Sequence, residues 1–141
     1  MAFGPNPPVI QAHLCVKGGT DAIAFYAKAF DSECTFRQMA EDGVRVLHAN
    51  LALFGGEVML HDEFPEFGSD ILAPASRGGA SVAININLPT PAEVDAAITR
   101  AQSAGAIVIL HPSDAFWGAR YGRLRDPFGH VWAFNAPLQA S

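Results

Sequence analysis

The sequence predicts an α+β protein built from two tandem copies of one strand-helix-strand-strand-strand (βαβββ) module. The segments Leu51–Leu60 (LALFGGEVML) and Leu124–Phe134 (LRDPFGHVWAF) each contain an apolar strand, a glycine-centred turn and a second apolar strand, the pattern of an antiparallel hairpin. At the same offset of roughly 72 residues upstream, two further segments match. A strand ending at Val16 runs into a helical pattern, and a strand ending at Leu88 runs into another. We therefore expect module one at about residues 8–62 and module two at about 81–135.

The first module begins with an alternating pattern over 9–16, which predicts a strand with Gln11 and His13 on one face. Glycines 18 and 19 end that strand, and Thr20 is a plausible N-cap for a helix with apolar residues at helical spacing. Glu41-Asp42-Gly43 is a turn signal between two strands. The remaining strands of the module are expected near 34–40, 44–53 and 57–61.

The connection between modules, about 63–80, loses all periodicity and gathers Pro, Gly and Ser. It is either a passive crossover or a lid or binding loop. The second module opens with a strand near 81–88, followed by Thr90-Pro91-Ala92-Glu93. This motif predicts a capping box with proline at the first helical position. The helix should end near Gly105, with strands near 107–110, 121–124 and 130–134.

Composition places both modules in a single domain spanning residues 1–141. Half of the residues are hydrophobic and the net charge is −5, which argues against disorder and against nucleic acid or anionic membranes as partners. A small neutral or cationic ligand stays open. No segment approaches a membrane span, and the N-terminus has no secretory pattern. Cys15 and Cys34 lack a CxxC spacing and fit a reduced, cytoplasmic protein.

Three segments carry a resemblance to a known family: AIAFYAKAF, HANLALFGGEVMLHDE and DAFWGARYGRLRDPFGHVW. Together with the tandem βαβββ modules, they look like the vicinal oxygen chelate superfamily of glyoxalases, bleomycin-resistance proteins and extradiol dioxygenases. The last segment is similar to the PhnB-like branch. The resemblance covers about Pro8 to Asn135, and it implies an antiparallel-rich mixed sheet that curls around a cleft. Because one fold hosts many activities, function must be argued from the site.

Enzymes of this superfamily hold a divalent metal such as Zn²⁺, Ni²⁺, Mn²⁺ or Fe²⁺ with ligands from the first and fourth strands of each module. The resemblance places those positions at Gln11, Leu60, Ala83 and Ala133. Only Gln11 can donate to a metal, whereas a catalytic site needs three or more protein ligands. We therefore expect no metal site and no cofactor. A one-residue slip of register would substitute His61 or Asp62 for Leu60, and His13 for Gln11.

The residues expected to contact a ligand are polar or aromatic groups directed into the cleft. Two asparagines on one strand face are unusual, because Asn is a poor strand former, and aromatic side chains with a few polar groups line small-molecule pockets. Each of these residues has a structural alternative: a hydrogen bond within the sheet, or packing in the core or a subunit interface. The candidates are Gln11, His13, Asn85, Asn87, Trp117, Arg120 and Tyr121.

Two functions follow from these observations. The first is a homodimeric protein that binds a small organic molecule without catalysis, as bleomycin-resistance proteins do. The alternative is a metal-dependent, glyoxalase-like lyase or dioxygenase. No catalytic residue can be named from the sequence, and no nucleophile has the local pattern of covalent catalysis.

Overall fold

The computed structural model describes residues 7–139. The chain divides into two compact units, Met1–Gly79 and Ala80–Ser141. Each unit contains one four-stranded mixed sheet, and the strand orders are β1-β4-β3-β2 and β5-β8-β7-β6. The two orders are the same once the second is renumbered, so the tandem βαβββ prediction and the α+β class are confirmed.

The first unit pairs its first and last strands in parallel and the others antiparallel. Its helix covers one face of the sheet, where Leu14, Leu51 and Leu60 are buried. Alternate residues along a strand point to opposite faces, so the other face is left for polar side chains. The elements are β1 (His13–Val16), α1 (Gly19–Phe30), β2 (Glu33–Met39), β3 (Val46–Leu53) and β4 (Gly56–Asp62).

The start of α1 is held by a carboxylate from β4. Asp62, which is buried, accepts hydrogen bonds from the backbone N–H groups of Gly18, Gly19 and Val46 at 2.7–3.0 Å. A side chain at Gly19 would collide with Asp62 and Val46, so only glycine fits there. The prediction that Thr20 caps this helix is wrong, because the cap is Gly18 and the missing acceptor comes from Asp62.

The second unit repeats this plan. Its capping box is confirmed: the Thr90 side chain accepts from the Glu93 N–H, and the Glu93 carboxylate accepts from the Thr90 N–H. Trp132 and Phe134 are fully buried in its core. The elements are β5 (Ala83–Asn87), α3 (Pro91–Ala104), β6 (Ile107–Ala115), β7 (Ala119–Arg125) and β8 (Val131–Pro137).

Both hairpins of the internal repeat form. Phe54 and Gly55 have positive φ values of 50° and 76° between β3 and β4, as a two-residue type I′ turn requires. Between β7 and β8, the Asp126 carboxylate accepts from the Phe128 and His130 N–H groups.

Several boundaries differ from the prediction, and strand β6 differs most at its end, because it continues to Ala115 and not only to residue 110. The first strand begins at His13 instead of residue 9, because residues 9 and 10 are exposed and only Ala12 still pairs, accepting from the Met59 N–H. The aperiodic connection contains a 3₁₀ turn (Pro65–Phe67) and a one-turn helix α2 (Pro74–Arg77). The interpretation of residues 1–141 as one domain stays a prediction.

Candidate ligand-binding faces

In the second unit, helix α3 packs against one face of the sheet, called the helix face, and the opposite face is the open face. The position of Gly122 identifies the two faces. A side chain at Gly122 would collide with Ile98 of α3, so Gly122 points towards the helix. Its strand neighbours Tyr121 and Arg123 therefore point to the opposite, open face. The strand register extends this face to Asn135 and Ala133 on β8 and to Asn87 and Asn85 on β5.

The open face of the second unit carries a group of amides and aromatic rings. The Asn85 amide donates to Asn87 Oδ1 at 2.9 Å. The Trp117 indole N–H donates to Asn135 Oδ1 at 3.3 Å, and the Trp117 ring meets the Tyr121 ring edge-on at 5.4 Å between centroids. Trp117 is 53% exposed. The structure thus brings together four of the sequence candidates, Asn85, Asn87, Trp117 and Tyr121, on one face of one unit.

Arg120 lies elsewhere. Its guanidinium binds Asp95 of α3 at 2.9 Å and Asp114 at 3.1 Å, so it points to the helix face. The hydrogen bond to Asp95, followed by that to Asp114, raises the pKa of Arg120 above its ordinary value. The sequence singled out this arginine for the ligand site, and the geometry instead gives it two carboxylate partners within the fold.

Arg123 belongs to the open face and was missed. Its guanidinium nitrogens donate to the Tyr121 hydroxyl at 2.8 and 3.3 Å. The signal was present in the alternation of β7: residues 121, 123 and 125 share a face, and 120 lies on the other.

The open face of the first unit is rich in histidine. The His13 ring meets the His61 ring at 4.6 Å and the His48 ring at 5.4 Å between centroids. The sequence candidate Gln11 donates its amide to the Glu57 carboxylate at 3.0 Å. His48 Nε2 lies 2.7 Å from Asn50 Oδ1, and His61 Nδ1 lies 2.6 Å from the Asp62 carbonyl oxygen.

Crowding of these rings changes the chemistry of His13. Partial burial of the imidazole, followed by the charges of His61 and His48, lowers the pKa of His13 from 6.5 to about 4. His13 is therefore neutral at pH 7, and its ring can donate or accept a hydrogen bond.

The positions that the superfamily uses for a metal do not supply a matching donor set here. The counterpart of Ala133 in the first unit is Met59 and not Leu60, because His13 pairs with Met59 just as Asn85 pairs with Ala133. Leu60 is fully buried on the helix side, so the sequence assignment was one residue out of register. With the corrected register, this metal position carries the thioether of Met59 in place of the aliphatic side chain of Leu60.

No group of three or more His, Cys, Asp or Glu residues is arranged to hold a metal ion within residues 7–139. Gln11 and Glu57 supply two oxygen-bearing groups at the end of the first sheet, but they are joined to each other by a hydrogen bond. The family's divalent metal therefore finds no fitting set of ligands among these residues.

A small cavity of about 200 Å³ lies along the connection segment in the first unit. Arg45 holds this segment from one side: its guanidinium binds Glu66 at 2.6 Å and lies 4.3 Å from the centre of the Phe64 ring. The alternatives of passive crossover and binding loop both remain predictions. The residues that line the cavity are His61, Phe64, Phe67, Gly68, Asp70 and Ile71.

Comparison with known proteins agrees with this fold. Residues 9–134 match the family model of the Glyoxalase/Bleomycin resistance protein/Dioxygenase superfamily, and the chain belongs to that superfamily. An uncharacterized protein of Mycobacterium bovis is 41% identical over 133 residues, which are 94% of this chain and 85% of that protein.

Two solved structures illustrate the likeness. The crystal structure of TioX from Micromonospora sp. ML1 matches with a TM-score of 0.66 and 25% identity, over 92% of this chain and 98% of that one. A PhnB protein from Bacillus cereus, described as a putative 3-demethylubiquinone-9 3-methyltransferase, matches with a TM-score of 0.67 and 20% identity, over 94% of this chain and all (100%) of that one. The expected superfamily is confirmed, and the solved structures agree in fold. None of the helices within residues 7–139 has the length and apolar character needed to cross a bilayer.

Proposed function

We propose that this protein binds a small organic molecule without a metal, and that the open face of the second unit supplies its main contacts. The observation that supports this most directly is the half-exposed Trp117, whose indole is hydrogen-bonded to Asn135 beside the Asn85–Asn87 pair. A large aromatic surface with a few positioned polar groups is the usual composition of a small-molecule site. Gln11 and His13 are proposed separately, as ligand contacts on the open face of the first unit.

The amides fit this role because they are accessible to a ligand. Asn85 and Asn87 are exposed and are hydrogen-bonded to each other, and Asn is otherwise a poor strand former. Trp117 and the neighbouring Phe116 also expose apolar area, 53% and 98% of their surfaces. Exposed aromatic area beside ordered amides is typical of a surface that binds another molecule.

Tryptophan emission provides the test. The protein has two tryptophans, and Trp132 is fully buried, with its indole N–H donating to Asp126 at 2.9 Å. Titration with a library of planar organic compounds should change the emission of the wild type, while Trp117→Phe should lose the response and keep the emission of Trp132.

The asparagines make the same test quantitative. Asn85→Leu or Asn87→Leu should weaken any compound that responds by about tenfold or more, because a ligand group is left unpaired at about 1–3 kcal/mol. An unchanged dissociation constant in both variants would reject these contacts, and a response retained in Trp117→Phe would place the binding elsewhere.

A metal-dependent lyase or dioxygenase is the second candidate, and the adjacent Gln11 and Glu57 side chains with three histidines on the same face are what favour it. A divalent metal ion that binds only the native state would raise the free energy of unfolding by mass action, by about 2.7 kcal/mol at a hundredfold excess over Kd. We expect no rise in melting temperature with Zn²⁺ or Ni²⁺. A clear rise that Gln11→Ala abolishes would support the enzyme and overturn the metal-free proposal.

We further propose a homodimer. Strand β6 is the edge of the second sheet, and Ile107, Ile109 and Leu110 on it are about half exposed, at 57%, 46% and 45%. Apolar residues along a sheet edge are a common element of subunit contacts. Light scattering at micromolar concentration should give twice the monomer mass of 15.0 kDa, and a value at the monomer mass would refute the dimer. A cytoplasmic location stays a prediction from the sequence.

A further inference from the structure

The open face of the second unit has a charge opposite to that of the whole chain. Along β5, β8 and β7, all within the described residues, the positions that share this face include Arg123 and Arg125 and no Asp or Glu. The net charge of −5 is therefore carried elsewhere. Charge near a binding site acts more strongly than charge beyond about one Debye length, roughly 8–10 Å in physiological salt. The local charge, and not the net charge, decides which ligands this face attracts.

Arg123 keeps its charge available for a ligand. Among the described residues its polar partner is the neutral Tyr121 hydroxyl, and its guanidinium also lies 5.6 Å from the centre of the Tyr121 ring. Arg120, three residues earlier, has two carboxylate partners instead. Stacking beside a ring fixes the planar fork of an arginine while leaving N–H groups that match a carboxylate.

The polar groups around Arg123 are hydrogen-bond donors whose acceptor atoms are mostly in use. Asn87 Oδ1 already accepts from Asn85, and Asn135 Oδ1 already accepts from Trp117. Within residues 7–139, the amide N–H groups of Asn87 and Asn135 remain available as donors. The Tyr121 oxygen accepts from Arg123, so its own O–H can donate outward. A face with many donors and few acceptors favours an anion.

The strand register brings these donors together. Arg123 and Asn85 both pair with Ala133, from opposite sides of β8, while Tyr121 and Asn87 both pair with Asn135 in the next row. Neighbouring strands lie about 4.8 Å apart, so Arg123 and Asn85 are separated by about 10 Å at the backbone. The small Ala133 between them leaves both longer side chains room to reach one ligand group.

We propose that this face binds a small carboxylate-bearing molecule with a planar part, the carboxylate held by Arg123, Tyr121 and the asparagine amides and the planar part contacting Trp117. This inference rests on the proposed small-molecule function and names its ligand class. Arg123 is a specificity-determining residue in this arrangement, because it distinguishes an anionic ligand from its neutral analogue.

The experiment compares benzoate with benzamide, which has the same ring and no charge, by titration of Trp117 emission and by calorimetry. Wild-type protein should prefer benzoate by about tenfold or more, as expected for a charge-assisted bidentate contact, and added salt should reduce the preference. Phenylphosphonate, tested alongside, separates a carboxylate site from a general anion site, because an arginine fork matches the oxygens of both groups. The carboxylate assignment stands if benzoate binds at least as tightly, and tighter binding of the phosphonate would overturn it.

Arg123→Gln should abolish the preference for benzoate. The matched control is Arg120→Gln, which removes the same charge from the same strand on the opposite face and should keep the preference. Arg123→Lys, which retains the charge without the planar fork, should give an intermediate value and guards against a folding defect, as does a thermal melt of each variant. Equal binding of benzoate and benzamide by the wild type, or a preference retained in Arg123→Gln, would overturn the inference while leaving the small-molecule function standing. No response to any planar compound would remove both.

Discussion

The low pKa of His13 predicts how the stability of the first unit depends on pH. In the folded protein the pKa of His13 is about 4, below its ordinary value of 6.5, so between these values the unfolded chain binds more protons. The contribution of His13 to the free energy of unfolding is therefore fully present above pH 6.5 and is lost as the pH falls towards 4. Each tenfold difference in proton affinity is worth about 1.4 kcal/mol. Because pH 5 lies more than one unit below 6.5, the loss of stability at pH 5 has an upper limit of about 2 kcal/mol.

Because His13 is partly exposed to solvent, screening reduces that ceiling, and we expect a loss of about 1 kcal/mol between pH 7.5 and pH 5. This corresponds to a fall in melting temperature of about 4 °C attributable to one residue. The measurement is urea unfolding of the wild type and of His13→Asn at both pH values. His13→Asn places in the first unit the residue that Asn85 provides in the second.

The variant should lose less stability than the wild type on acidification, by about 1 kcal/mol. The control is His111→Asn, at an exposed histidine of β6, which should leave the pH dependence unchanged. Identical pH dependence in wild type and His13→Asn would refute the argument that the crowded rings suppress protonation of His13. Direct titration of the His13 ring by NMR gives the same answer independently.

Two further predictions concern the helix starts. Asp62→Asn should destabilise the protein by about 3 kcal/mol, because an amide cannot accept from all three backbone N–H groups that the buried carboxylate now satisfies. Chemical denaturation, with the exposed Asp114→Asn as the control, measures this loss. A loss below about 1 kcal/mol would contradict the reasoning. Thr90→Ala should cost about 1 kcal/mol by removing one half of the capping box, and thermal melts beside the conservative Thr90→Ser, which should be nearly neutral, measure it.

The repeat could be predicted from the sequence because both of its strongest elements are local. A glycine hairpin between apolar strands and a Thr-Pro-x-Glu helix start are decided by residues within a few positions of one another, and both formed as expected. The start of α1 could not be predicted in this way. Its acceptor is Asp62, 43 residues away from Gly19, and no local pattern reveals a partner at that distance.

The candidate site of the second unit shows in the same way what could and could not be predicted from the sequence. Alternation placed Asn85 and Asn87 together on one face, and the register agrees. On β7, alternation assigns Arg123 to the face of Tyr121 and Arg120 to the opposite face, wherever the strand begins. An error of one residue in register moved the Ala133 counterpart from Met59 to Leu60.

The parallel pairing of first and last strands in each unit sets the order in which the chain can fold during synthesis. Gln11 and Glu57, which meet beside β1 and β4, are 46 residues apart, so at about 5–20 residues per second β1 waits several seconds on the ribosome before its partner is made. During that interval neither β1 nor the hairpin of β2 and β3 has the strand β4 that joins them in the finished sheet. The second unit repeats the delay, since β5 pairs with β8, its last strand. A protein with this topology presents an unpaired edge twice in each round of translation, and its yield in cells should depend on chaperones that shield nascent strands.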